Sequence, residues 1–137
     1  MKRPGTLRHV AFALVLASVL AAFAARSAPP AITGPSKGDA AAGKKIFSVK
    51  CVPCHKADGS GGFKLTGNPT PDWRDAKRMS DPKYNDDYLR DCITNGKIKS
   101  GMVAWSKQGV KPAEIENLIA YVRTFSAPKS PAKNAKK

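Results

Sequence analysis

The chain has 137 residues, 42% hydrophobic and 7% aromatic, enough for one domain with a modest core. Its 24 Lys and Arg against 10 Asp and Glu give a formal charge of +14. That balance excludes a disordered acidic tail, a multidomain enzyme and a polytopic membrane protein. Three cysteines are too few for a disulfide-dense scaffold, and the odd number leaves at least one unpaired.

The first nine residues carry Lys2, Arg3 and Arg8 with no acid, and an apolar run from Val10 to Ala25 follows. A basic start, a short apolar stretch and small residues at Ala22 and Ala24 read as a secretory signal peptide over 1–24. An uncleaved anchor is the alternative, since the run is only slightly short of a bilayer span. Removing 1–24, with its three basic residues and no acids, leaves a charge of +11. Residues 25–38, rich in Pro and Gly, read as a linker. Residues 127–137, with Lys129, Lys133, Lys136 and Lys137 and no acid, read as a flexible Lys/Pro-rich tail. The folded unit is therefore expected over 39–126, in the periplasm.

Three helices are predicted within it. Asp39 opens the first, which carries Ala42, Ile46 and Phe47 at helical spacing toward Cys51, with Gly43 leaving a notch one turn before Phe47. Ser80 is the expected N-cap of the second, whose stripe is Tyr84, Tyr88, Leu89, Cys92 and Ile93, ended by Asn95-Gly96. Pro112 starts the third, with Ile115, Leu118, Ile119, Val122 and Phe125 on one face and Arg123 near the negative end of its dipole. Cys54 to Ser80 reads as loop, and no alternating run suggests a strand. The expected class is all-α.

Cys51-Val52-Pro53-Cys54-His55 is a C-x-x-C-H sequence, the signature of covalent c-type haem attachment. Two thiols one helical turn apart can each add to one vinyl group on the same porphyrin edge. The adjacent imidazole is then carried under the ring, within reach of the iron. Three other readings compete. A thioredoxin-like pair wants a preceding strand, where a helix is predicted. A zinc site of Cys51, Cys54, His55 and Cys92 would need neighbouring Cys54 and His55 to converge on one ion. A Cys51–Cys54 disulfide leaves Cys92 and His55 unexplained.

A low-spin haem takes a second axial ligand. His9 and Met1 fall in the export signal, so Met79 and Met102 remain. Met102, in the Gly-containing loop Ser100–Trp105 and 47 residues after His55, is the expected ligand; Met79, flanked by charges, is the lesser candidate.

With these residues in view, the chain resembles a class I, mono-haem cytochrome c of the small bacterial periplasmic kind. The resemblance runs through Gly43–Phe47 into Cys51–His55, then Pro71-Asp72-Trp73, Cys92-Ile93…Gly96 with Met102…Trp105, and Glu114–Arg123. It implies three to four helices wrapped around one covalently bound haem c, with His55 and Met102 as axial ligands. It also implies that Gly43 and Phe47 cross Leu118 and Tyr121. Two positions depart from the pattern. Val103 stands where proline usually follows the ligand methionine, which leaves that loop less stiff. Gly61-Gly62-Phe63 stands where a proline carbonyl usually accepts the imidazole's outer N–H.

On this resemblance the protein is an electron carrier and not an enzyme. A six-coordinate iron has no position for substrate, and an imidazole with a soft thioether raises the potential. The alternative is a haem c subunit of a periplasmic dehydrogenase or oxidase complex; a ligand-binding sensor would need Met102 off the iron. Lys44, Lys45, Lys50, Lys56, Lys64, Lys97, Lys99, Lys107 and Lys111 bracket the haem and methionine segments. They point to redox partners with acidic docking surfaces, met by a monomer. The basic tail suits weak association with an anionic membrane. Nucleic acid is not an expected partner of an exported chain. Cys92, on an apolar stripe, is expected to be a buried free thiol.

Overall fold

The computed structural model describes residues 34–128. The expected signal peptide, with His9 and Met1, lies outside these residues, as do most of the linker and of the Lys-rich tail. The described chain forms helices α1 (Ala40–Lys50), α2 (Val52–His55), α3 (Ala76–Ser80), α4 (Asp86–Asn95) and α5 (Pro112–Thr124). Short 3₁₀ turns occupy Pro82–Tyr84, Ile98–Ser100 and Trp105–Gln108. Among the described residues the only ladder pairing is an isolated antiparallel bridge between Lys97 and Met102. The fold is all-α, as expected, with five helices where three to four were expected.

The first and last helices begin as the sequence indicates. The Asp39 side chain accepts from the Ala41 N–H at 2.7 Å, satisfying one of the free donors at the start of α1. At α5, Pro112 occupies the first turn and Glu114 reaches back to accept from the Lys111 N–H at 2.8 Å. These two helices form the main packing contact of the molecule. Gly43 permits it: a Cβ there would stand 1.9 Å from the Asn117 carbonyl oxygen and 3.0 Å from Tyr121 Cβ. The glycine thus meets Asn117 and Tyr121, and the expected crossing of Gly43 and Phe47 with Leu118 and Tyr121 gains the Asn117 carbonyl as a further contact. Phe47, one turn on, is buried with Leu118 and Ile119 and sets its ring edge-on to Tyr121 at 5.2 Å. Truncating so buried an aromatic would cost about 3–5 kcal/mol.

The middle of the chain differs from the sequence reading. Ser80 does not open the helix that carries Leu89, Cys92 and Ile93. It ends α3, which is capped at its start by the Asp75 side chain accepting from Arg78 N–H at 3.0 Å. Asp81 then caps the turn at Pro82–Tyr84, and Asn85 accepts from Tyr88 N–H at 2.8 Å to start α4. Three capping side chains within eleven residues restart the backbone three times, so Ser80 and Pro82 belong to different elements.

The last residues of the expected linker lie on the folded unit. Gly34 and Ser36 donate their N–H groups to Asp87 and Asp86, and Ser36 Oγ donates to the Glu116 carbonyl. Arg90 joins this region to α5 by pairing with buried Glu116 through two nitrogens, at 2.6 and 3.1 Å, and with Asp87. Arg123 does more than complement the helix dipole. Its guanidinium bonds Asp86 at 2.6 Å and the carbonyls of Met79 and Tyr84, tying α5 to the segment before α4. Partial burial alone would raise the Asp86 carboxyl, but its bonds from Ser36 N–H and Arg123 outweigh this and hold it below its ordinary range.

Because the folded state favours ionised Asp86, its contribution is present above the unfolded carboxylate range and is lost as pH falls through the lower folded value. Asp86→Asn is expected to destabilise the protein by about 1 kcal/mol at pH 7 in urea titrations. The difference from wild type should shrink as pH falls through and below the ordinary carboxylate range; a difference that stays constant with pH would contradict this role.

Candidate functional site

The motif sits on a local break in the helix. Cys51 N–H still bonds the Phe47 carbonyl at 2.9 Å, but Cys51 departs to φ −111° and α2 restarts with Pro53 in its first turn, where a missing N–H costs nothing. Cys54 and His55 donate their N–H groups to the Cys51 carbonyl at 3.2 and 2.9 Å, which places both thiols and the imidazole on one compact turn. Lys56 ends the turn at φ 59°, the one non-glycine positive φ among the described residues. Thr70 secures the turn from outside: its hydroxyl donates to the Cys54 carbonyl at 2.9 Å and accepts from Phe63 N–H at 3.0 Å.

Both thiols, His55 and Met102 line one cavity of about 740 Å³. Its wall includes the apolar side chains of Phe47, Trp73, Leu89, Ile93, Leu118 and Val122. Met79, also buried, lines it too, as does Cys92, whose free thiol is buried as expected. The Trp73 ring stacks on the His55 imidazole, centroids 4.2 Å apart and planes 13° from parallel. Trp73 in turn faces Phe47 and Phe125 at 5.9 and 6.3 Å, so the imidazole rests on the same aromatic cluster that joins α1 to α5.

Burial lowers the His55 pKa to about 4, which keeps the imidazole neutral and its nitrogen lone pair free near pH 7. Burial pushes the Cys51 thiol up to about 11, against an opposing pull from Lys50. A redox-active C-x-x-C pair has a depressed thiol, so this environment argues against a thioredoxin-like role. Among the described residues no three His, Cys, Asp or Glu side chains are placed to hold a metal ion, so the zinc alternative gains no support.

The residues fit a haem. The volume lies within the roughly 300–1,000 Å³ typical of cofactor sites, and the two thiols share a turn at its wall. His55 Nδ1 is buried with no hydrogen-bond partner among the described residues. An orphaned buried nitrogen costs about 1–3 kcal/mol unless something in the site uses the ring. None of the carbonyls of Gly61, Gly62 or Phe63 accepts from it; Gly61 N–H instead donates to the His55 carbonyl at 3.2 Å.

Residues 38–122 match the family model described as cytochrome C oxidase, cbb3-type, subunit III. The chain is also 36% identical over 100 residues to cytochrome c6 of Rippkaea orientalis, covering 73% of this chain and 79% of that protein. The chain belongs to the class I c-type cytochromes. Membership carries with it a covalently bound haem c, for which Cys51 and Cys54 are the thiols at hand.

Three polar or aromatic residues of the cavity carried little or no sequence signal. Arg78, Tyr84 and Tyr88 line the cavity, with Arg78 over the Tyr84 ring at 5.3 Å and the two tyrosines edge-on at 5.3 Å. Only the apolar stripe expected from Tyr84 to Ile93 hinted at the two tyrosines, and nothing hinted at Arg78. The loop that carries Met102 rests on Gly96, whose φ is 75° and where a Cβ would lie 2.6 Å from the Met102 carbonyl oxygen and 2.7 Å from Ala104 N. Gly96→Ala is expected to cost about 2–3 kcal/mol in urea unfolding, combining backbone strain with overpacking. A variant as stable as wild type would show that the loop does not depend on this contact.

Proposed function

We propose that this cytochrome is a periplasmic carrier that moves one electron at a time between redox partner proteins, with its haem iron held by His55 and Met102. The observation that supports this most strongly is the gathering of both motif thiols, His55 and Met102 around one apolar cavity of about 740 Å³. The bound haem iron supplies the reversible one-electron couple. Cys51 and Cys54 tether it, His55 offers a neutral imidazole nitrogen, and Met102 offers a soft thioether that favours the reduced state. The aromatic stack Trp73–Phe47–Phe125 fixes the imidazole plane and keeps that face dry. His55 and Met102 together would hold the iron and leave no open position for a substrate, which suits a carrier and not a catalyst. No helix of the described residues is long and apolar enough to cross a membrane.

Lys50, Lys97 and Lys99 stand at the cavity, beside exposed Phe63, Leu65, Ile98 and Val103. A basic, partly apolar rim fits acidic docking surfaces, with charge guiding approach and the apolar centre forming the contact. A second reading is a haem c subunit of a periplasmic oxidase complex, favoured by the description of the matching family model. It uses the same site, with the rim as a permanent interface.

Met102→Ala should abolish the weak far-red absorption band that an iron–thioether bond gives in the oxidised protein, whereas Met79→Ala should leave it. The opposite result would move the ligand assignment to Met79. Oxidation by ferricyanide, a small polyanion, should slow several-fold between low and about 0.5 M salt. Lys50→Gln combined with Lys99→Gln should flatten that dependence, and a salt-independent rate in the wild type would count against steering by the lysine rim.

A further inference from the structure

The Met102 loop has little stiffness of its own. One isolated bridge joins Lys97 and Met102, with N–H···O distances of 2.9 and 3.2 Å, and one 3₁₀ turn fills the space between. Gly101 before Met102 and the exposed Val103 after it add no constraint comparable to a ring. A second segment, far away in sequence, touches the loop at three consecutive residues. Thr66 Oγ1 donates to the Lys99 carbonyl at 2.9 Å. Gly67 lies against the same carbonyl, where a Cβ would stand at 3.1 Å. The Leu65 side chain covers Gly101, its Cδ2 2.6 Å from where a Cβ would be.

That segment is itself anchored to the thiol motif. Thr70 N–H donates to the Phe63 carbonyl at 2.8 Å, and the Thr70 hydroxyl bonds the Cys54 carbonyl. A continuous path therefore runs from Cys54 through Thr70 and Phe63 to Leu65-Thr66, and on to Lys99–Met102. Leu65 is 63% exposed although it is one of the larger apolar side chains, and its place over Gly101 accounts for its position there. Leu65, Lys99, Gly101 and Met102 all line the cavity, so the clasp closes at its rim and not on a remote surface.

We propose that Leu65 and Thr66 are positioning residues for Met102, acting through Lys99 and Gly101 to hold the thioether in place. This rests on the reading of Met102 as axial ligand. A loosened loop yields its coordination position more easily to an added ligand, because exchange draws on local opening of that loop. Thr66→Val removes the donor at nearly constant shape, and Leu65→Ala removes the cover on Gly101.

The experiment is a titration of the oxidised holoprotein with imidazole, followed by loss of the far-red band. Thr66→Val should bind imidazole about fivefold more tightly, the factor carried by one hydrogen bond, and Leu65→Ala should shift in the same direction. Thr66→Ser, which restores the hydroxyl, should return to wild-type affinity. Ser48→Ala, which removes an equally exposed hydroxyl bond to Lys45 on α1, should leave the affinity unchanged. Wild-type imidazole affinity in both clasp variants, with the band still abolished in Met102→Ala, would overturn the clasp alone. A band that survives Met102→Ala would overturn the ligand reading on which the clasp depends.

Discussion

The approach of α1 to α5 at Gly43 governs the rest of the molecule. The missing side chain lets the Asn117 carbonyl come where a Cβ would otherwise stand, and the two helices touch backbone to backbone. That closeness brings Phe47, one turn later, onto Tyr121 and Phe125, and through Phe125 and Trp73 onto His55. The imidazole is therefore oriented by an aromatic stack whose far end is the packing of the chain's two ends. Widening the helix pair would loosen the stack before it touched the thiols. Helix packing and the orientation of the His55 imidazole are consequently coupled, and a change remote from the cavity reaches the ring through aromatic contacts.

Legibility in the sequence followed the range of the interaction. Asp39 and Pro112 mark their helices through hydrogen bonds and backbone geometry closed within a few residues, and both ends lie where the pattern puts them. Ser80 misled for the same local reason. It is a good cap, but Asp75, Asp81 and Asn85 are caps as well, and which of four neighbours opens the long helix depends on how the segment docks. Arg123 decides that docking by bonding the Met79 and Tyr84 carbonyls from α5, about forty residues away. No window along the chain contains both partners.

The site shows the same division. Cys51, Cys54 and His55 are adjacent, so a five-residue motif carries them. Gly43 and Phe47 were legible as a notch and a knob, and both expected partners, Leu118 and Tyr121, pack there. What the pattern did not show is that the notch receives the Asn117 carbonyl, a backbone atom whose residue type leaves no mark on apolar spacing. Thr70, which secures the Cys54 carbonyl, had no signal at all: an isolated Thr between prolines looks like loop. The acceptor expected for the imidazole among Gly61–Phe63 is used otherwise, since that stretch pairs its backbone with His55 and Thr70.

Charge placement explains how so basic a chain keeps a basic rim while holding itself together by ion pairs. All ten acids of the sequence are engaged within the described residues. Asp39, Asp75, Asp81 and Glu114 accept from backbone N–H groups as caps. Asp58, Asp72, Asp86, Asp87, Asp91 and Glu116 form ion pairs, and Arg74, Arg90 and Arg123 take five of those six. Arginine suits that work, because its planar fork binds a carboxylate and a carbonyl together, as Arg123 does, or two carboxylates, as Arg90 does. Among the described lysines only Lys97 closes an ion pair, with Asp91. The acids are thus taken up by caps, arginines and Lys97, and the surplus positive charge of the described residues falls to lysines that close no ion pair. A chain with the same net charge but its arginines replaced by lysine would lose the internal ties and keep the external field, so among the described residues the two basic residue types divide internal pairing from surface charge between them.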